Sequence, residues 1–231
     1  MKLVIKNLTK SFGDRVILKD INFEFEKGKI YGLLGRNGAG KTTLFNCLNE
    51  DLLIDEGTFY LEENNQKKKA TDIGYVLSTP NVPEFLTARE FLEFFVTINK
   101  EKIKSLKTID EYFDLVKISK NDQDKLLKDY SHGMKNKIQM LVNIIASPEI
   151  LLLDEPLTSF DVVVAEEMKE LLKSIKKDHI LIFSTHIMEL ALDLCDEIVI
   201  LNHQTLTKID SKNLTEKEFK QKIIDDLKEE N

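Results

Sequence analysis

The sequence predicts an α/β fold in which helices cover a parallel β-sheet, and three features predict it. After Met134 buried strands and helices alternate: "EILLLD", "VVVAEEMKELLKSIKK", "HILIFST", "IMELALDLCD" and "EIVILN" follow one another, and βαβ alternation indicates a parallel sheet. The first third reads instead as strands and turns. Between the two, from about Pro83, the hydrophobic period becomes helical. The expected organisation is a single domain over 1–231, with a core and β segment at 1–80 and 136–231 and a helical insertion at 81–135.

Taken in order, "KLVIKNLTKSF" has strand composition, "VILKDINFEFE" alternates, and "KGKIYGLLG" ends a short buried strand at a glycine. "GTFYLEENNQKKKATDIGYV" reads as a hairpin with its polar turn around Glu63 to Gln66. Thr87 and Glu90 form a capping-box pair ahead of "FLEFFVTI", and "TIDEYFDLV" continues in helical style. Asp161 is the expected N-cap of the helix after "EILLLD". A second capping pair, Thr215 and Glu218, opens a C-terminal helix with Phe219, Ile223 and Leu227 on one face.

Composition excludes several classes. The chain has 231 residues, 42% hydrophobic and 32% charged, enough for one large or two small folded domains. A net charge of −7 argues against a general nucleic-acid binder. Cys47 and Cys195 are too few for a disulfide framework or a zinc site and read as small core residues. The opening "MKLVIKNLTKSFGD" lacks a sustained apolar region, and no run approaches the roughly 20 apolar residues of a membrane span. The expectation is a cytoplasmic protein that would serve a membrane only from its surface. Arginine occurs three times, at Arg15, Arg36 and Arg89.

"GRNGAGKTT", Gly35 to Thr43, matches the phosphate-loop pattern and sits between a strand and a helix start. Glycines let the backbone curl so that successive N–H groups of Gly35, Asn37, Gly38, Ala39 and Gly40 face phosphate oxygens. Lys41 adds a cation at the β- and γ-phosphates, and Thr42 a hydroxyl for Mg²⁺. The competing reading is a glycine-rich turn. "ILLLDEP" carries an acidic pair to a strand end, where ligands bind in open α/β sheets. Asp154 would hold Mg²⁺ through its water shell, and Glu155 would orient or deprotonate an attacking water. A buried strand followed by a polar turn is the alternative. His186 ends the neighbouring strand "ILIFST" and is either a structural histidine or a group within reach of the γ-phosphate. "YSHGMKNK" reads on its own as a helix start.

Together these residues resemble the nucleotide-binding domain of ABC transporters from about Leu3 to Leu206. The resemblance takes in the phosphate loop, "YSHGM" as signature loop, "ILLLDE" as Walker B, "TSFD" as D-loop and "STH" as switch loop. It implies a P-loop NTPase (RecA-like) core with an N-terminal antiparallel β subdomain and an inserted helical subdomain. It implies that Phe12 stacks on adenine, with a hairpin-core phenylalanine as the alternative, and that Asp161 lies at a dimer interface. Ser131 and Gly133 would close over ATP held by a second subunit. Four positions depart from the family pattern: Ser78 stands where glutamine reaches Mg²⁺, His132 and Met134 replace a glycine and a glutamine of the signature, and Gln204 replaces a turn glycine. Ser78 could act on Mg²⁺ only through a water.

The resemblance therefore implies an ATP- and Mg²⁺-dependent ATPase subunit. It would pair with a second nucleotide-binding subunit, identical or paralogous, and drive a separate membrane permease. "LTARE", "YSHGMK" and "STHIMELALDLCD" look most like the subfamily that exports peptides, lantibiotics, drugs or glycans. Two other readings stay open: a soluble ABC ATPase of a non-transport cytosolic machine, and a weakly hydrolysing regulatory subunit, suggested by Ser78.

Overall fold

The computed structural model describes residues 1–103, 105–209 and 215–228. The chain opens with β1 (Lys2–Phe12), β2 (Arg15–Glu26), β3 (Ile30–Leu34) and α1 (Lys41–Leu48), followed by β4 (Glu56–Glu63), β5 (Gln66–Lys68) and β6 (Ile73–Val76). Helices α2 (Ala88–Asn99), α3 (Ile109–Leu115), α4 (Lys120–Gln123) and α5 (His132–Ala146) come next. The remainder alternates: β7 (Ile150–Asp154), α6 (Val162–Ile175), β8 (Ile180–Thr185), α7 (Met188–Leu194), β9 (Glu197–Asn202), β10 (Thr205–Ile209) and α8 (Glu216–Leu227).

Six strands form the central sheet in the order β10-β9-β3-β8-β7-β6. All neighbours pair in parallel except β10, which runs antiparallel to β9 along one edge. β3, β7 and β8 are buried along their whole length, as expected for parallel strands covered on both faces. Alternation divides their side chains. Ile150 and Leu152 pack with Leu44 and Phe45 of α1 and with the N-terminal strands. Leu151 and Leu153 pack with Ile138, Met140 and Leu141 of α5. Each such burial contributes about 1.5–3 kcal/mol.

A second, antiparallel sheet has the order β2-β1-β4-β5. Here the structure refines the expected hairpin. β4 and β5 pair over Leu61–Lys68, Glu62–Lys67 and Glu63–Gln66, around Asn64 and Asn65 with φ of 51° and 61°, the left-handed pair that a two-residue hairpin turn requires. β6 then leaves that sheet and pairs in parallel with β7. Val76 and Gly74 are buried there, and a Cβ on Gly74 would lie 2.8 Å from Asn143 Oδ1 and Pro148 Cγ, so "IGYV" fits a closely covered strand.

The local signals act where expected. Thr87 and Thr215 each accept from the backbone N–H three residues on, with Glu90 and Glu218 reaching back. Asp161 caps α6 through the N–H of Val164 at 3.0 Å. Phe219, Ile223 and Leu227 pack against Leu34, Ile198 and Ile200. Arg89 fastens α2 to its neighbours, its guanidinium donating to Asp110 (2.9 Å) and Asp124 (3.1 Å).

The register places functional candidates on one edge. Leu34 lies opposite Thr185, Asp154 opposite Ser184, and Val76 opposite Leu153. The residues that follow, Gly35, His186, Glu155 and Leu77, therefore leave the sheet side by side. α7 sits directly on this part of it. A Cβ on Gly32 would meet Cys195 Sγ at 2.9 Å, Ile198 Cδ1 at 3.1 Å and Ala191 Cβ at 3.2 Å. Gly32→Ala should thus lower stability by about 1–3 kcal/mol through overpacking, measured as a shift of the urea midpoint at unchanged slope.

Candidate active site

The loop between β3 and α1 is curled by its backbone. Gly40, the N-cap of α1, has φ of 107°, and a Cβ there would lie 2.8 Å from Ile17 Cγ2. Only glycine fits that combination without strain. Lys41 folds back over the loop, its ammonium donating to the carbonyls of Gly35 (2.7 Å) and Arg36 (3.3 Å). The side chain is buried, and burial, opposed by the charges of Glu155 and Asp154, holds its pKa below the ordinary lysine value.

β7 delivers the acidic pair. Asp154 is buried; its carboxylate accepts from Thr42 Oγ1 at 2.8 Å and from Ser184 Oγ. Glu155 follows with φ of 49°, a left-handed conformation that costs a non-glycine residue about 1–2 kcal/mol. The backbone is pinned there because its N–H donates to Ser184 O and Ser184 Oγ, both at 3.2 Å. The turn swings the carboxylate out of the sheet toward His186, whose Nδ1 lies 2.9 Å from Oε1, and toward Lys41, 3.9 Å away. Oε2 is buried and makes no hydrogen bond among the described residues.

A cleft of about 330 Å³ brings together Phe12, Asn37, Gly38, Gly40, Lys41, Thr42, Thr43, Ser78, Asp154 and Glu155. His186 joins through Glu155. Gly35 underlies Lys41, and Ala39 lines an adjoining cleft with Arg36 and Asn37. Phe12, at the end of β1, is 51% exposed and belongs to none of the core clusters. Its ring stands open at the cleft wall, with the Lys10 ammonium 5.5 Å from its centre. Ser131, Gly133 and Asp161 do not line this cleft. Ser131 caps α5 by accepting from the N–H of Met134 at 3.2 Å. A Cβ on Gly133 would meet Ser159 O and Phe160 Cδ1 at 3.3 Å, so the first turn of α5 lies against the 158–161 loop.

Ser184 and Arg15 are site residues that sequence reasoning left unassigned. Ser184 touches both acids; its signal was its place in "STH", one strand away from them. Arg15 lines the cleft and carried no signal beyond arginine's rarity.

The residues also fit a hard divalent cation. Thr42 and Asp154 offer a hydroxyl and a carboxylate, oxygen donors that suit Mg²⁺ with phosphate and water completing its shell. A curled loop around a desolvated lysine, an acid beside a hydroxyl, and a carboxylate–imidazole pair at parallel strand ends define the site of a nucleoside-triphosphate hydrolase. The family model described as "ABC transporter" matches residues 18–158. An uncharacterised ABC transporter ATP-binding protein of Methanocaldococcus jannaschii is 37% identical over 204 residues, covering 87% of this chain and 74% of the relative. The bacitracin transport ATP-binding protein of Enterococcus faecalis is 30% identical, covering 94% of this chain and 71% of that protein. A solved ATP-binding subunit of an ABC transporter superposes with a TM-score of 0.79 at 20% identity, over 97% of this chain and all of its own. The chain belongs to the ABC transporter family, as an ATP-binding and ATP-hydrolysing subunit.

The strain at Glu155 has a measurable counterpart. Glu155→Gly removes the left-handed penalty and the unpartnered buried oxygen; of the partners it loses, His186 is half exposed and Lys41 keeps the carbonyls of Gly35 and Arg36. The variant should be more stable by about 1 kcal/mol, read by chemical denaturation, while its ATPase activity falls to background.

Proposed function

We propose that two copies of this chain, or this chain and a paralogue, clasp two ATP molecules head to tail and drive a separate membrane permease. In this reading the loop N–H groups from Gly35 to Thr43 bind the phosphates, and Phe12 offers its ring to adenine. Lys41 exchanges its neutral carbonyl partners for phosphate oxygens, which form stronger, charge-assisted bonds. Thr42 and Asp154 hold Mg²⁺, with Ser78 near enough to act through a water; the ion supplies neutralisation of phosphate charge. Glu155, oriented by His186, takes the proton of the attacking water.

The observation that carries the reading is the Lys41–Glu155–His186 cluster beside Thr42 and Asp154 at the wall of one cleft. The same cluster favours real hydrolysis over a regulatory role, because the carboxylate and imidazole are already paired. Ser131 and Gly133 sit on the N-terminus of a 15-residue helix outside the chain's own cleft. That supports assigning them, with Asp161, to the nucleotide of the partner subunit, where the partial positive charge of the helix end faces phosphate. ATP then favours the closed pair because it touches both faces, and hydrolysis removes that preference.

The surface after Ser78 supports a permease contact. Val82, Pro83, Phe85, Leu86, Phe91 and Phe94 form an exposed apolar patch in which Phe85 is 79% and Phe94 57% exposed, and such patches mark interaction sites. No helix among the described residues is long and apolar enough to cross a membrane. In this reading the chain works at the cytoplasmic face and touches the membrane through the permease, and its net charge of −7 argues against a nucleic-acid partner. Similarity to the bacitracin transport protein supports export of a peptide, lantibiotic, drug or similar cargo.

Glu155→Gln should slow hydrolysis about 10²–10⁴-fold and accumulate an ATP-bound dimer on gel filtration. Ser131→Arg should leave ATP affinity of the monomer unchanged in a fluorescent-nucleotide titration yet abolish ATP-driven dimerisation; equal loss of both would refute the division of labour between subunits. Phe85→Asp should abolish co-purification of the permease while leaving the ATPase rate of the isolated chain intact. Retained co-purification would exclude the patch as the docking surface.

A further inference from the structure

Residues 77–86 connect the cleft to the exposed patch: Ser78 lines the first, and Asn81, Val82, Pro83 and Phe85 line the second. One face of α5 holds this loop. Gln139 is buried, its Nε2 donating to the carbonyl of Leu77 at 2.9 Å and its Oε1 accepting from the N–H of Asn81 at 3.0 Å. A primary amide offers donor and acceptor side by side, so this side chain satisfies the loop backbone as a neighbouring strand would. Lys135, four residues earlier and on the same helix face, meets Glu84 Oε1 at 2.5 Å. The helix thus grips the loop at its start, its middle and near its end.

We propose that Gln139, assisted by Lys135, is a positioning residue that makes the 77–86 loop travel with α5. Nucleotide state then reaches the apolar patch through the loop backbone and does not need a long side chain at position 78. This rests on the ATP-sandwich reading, in which the first turn of α5 closes over the partner's nucleotide. The physical reason is the buried Gln139 amide, which holds two part-buried backbone groups of the loop. If the loop lagged behind the helix, that amide would lose the N–H of Asn81 and the carbonyl of Leu77 together and be left unsatisfied, whereas moving together keeps both bonds. The serine hydroxyl, one heavy atom beyond Cβ, has no such reach.

The test is amide hydrogen exchange on the full chain in a Glu155→Gln background, with and without MgATP, with gel filtration alongside. In that parent, MgATP should drive dimerisation and slow exchange in both the start of α5 and residues 77–86. Adding Gln139→Leu should preserve dimerisation, speed exchange of the Asn81 amide about tenfold, and remove the ATP response of 77–86. Gln139→Glu keeps the acceptor for Asn81 but lacks the donor to Leu77, and should fall between. An ATP response of 77–86 that survives Gln139→Leu, while MgATP still drives dimerisation, would overturn the proposal. If Gln139→Leu does not fold, Lys135→Met on the same face should remove the ATP response at 84–86, and an unchanged response there would count equally against it. A parent that fails to dimerise on MgATP sinks the sandwich reading itself, visibly at the gel-filtration step, and the relay with it.

Discussion

The register of the parallel strands carries the rest of this molecule. Leu34 faces Thr185 and Asp154 faces Ser184, so the chain leaves three adjacent strands at one level and the phosphate loop, Glu155 and His186 emerge together. Side chains alternate along a strand, so a slip of one residue would exchange the two faces. Leu151 and Leu153 would then meet the packing that receives Ile150 and Leu152, and Asp154 would lose Thr42 and Ser184. Burial on both faces holds the register, and the register positions the chemistry.

That rigid frame tolerates local unfavourable features at the site. Glu155 is held in a left-handed conformation, its Oε2 is buried without a hydrogen bond among the described residues, and burial lowers the pKa of Lys41. The left-handed residue and the unpartnered oxygen cost about 1–3 kcal/mol each, small beside the burial of the surrounding sheet. Under the proposed mechanism all three would serve one end: the carboxylate is aimed at the histidine and at the space beside the lysine, and the lysine, already buried, would lose little hydration on meeting phosphate.

α5 joins regions that would otherwise be separate. Its N-terminus presents Ser131 and lies against the 158–161 loop. Its middle packs on the central sheet through Ile138 and Leu141. Its polar face holds the loop between cleft and patch through Lys135 and Gln139. One helix is therefore in contact with a candidate partner surface, the core and a candidate permease surface.

Some of this was legible in the amino-acid order alone. The phosphate loop, the strand-end acids and the helix caps at Thr87, Asp161 and Thr215 depend on residues within a few positions of one another, and their spacing is visible in sequence. The parallel sheet was legible because its strands are apolar on both faces. Other features were decided only in three dimensions. β6 reads as the far arm of a hairpin, and its parallel pairing with β7 assigns it to the other sheet. Phe12 could belong to a hairpin core until its exposure is seen. Thr42 and Asp154 are 112 residues apart, Asp154 and Ser184 are 30, and Gln139 and Asn81 are 58. Contacts at those separations depend on strand order and helix packing, which arise from the burial of the whole chain and leave no local pattern to read.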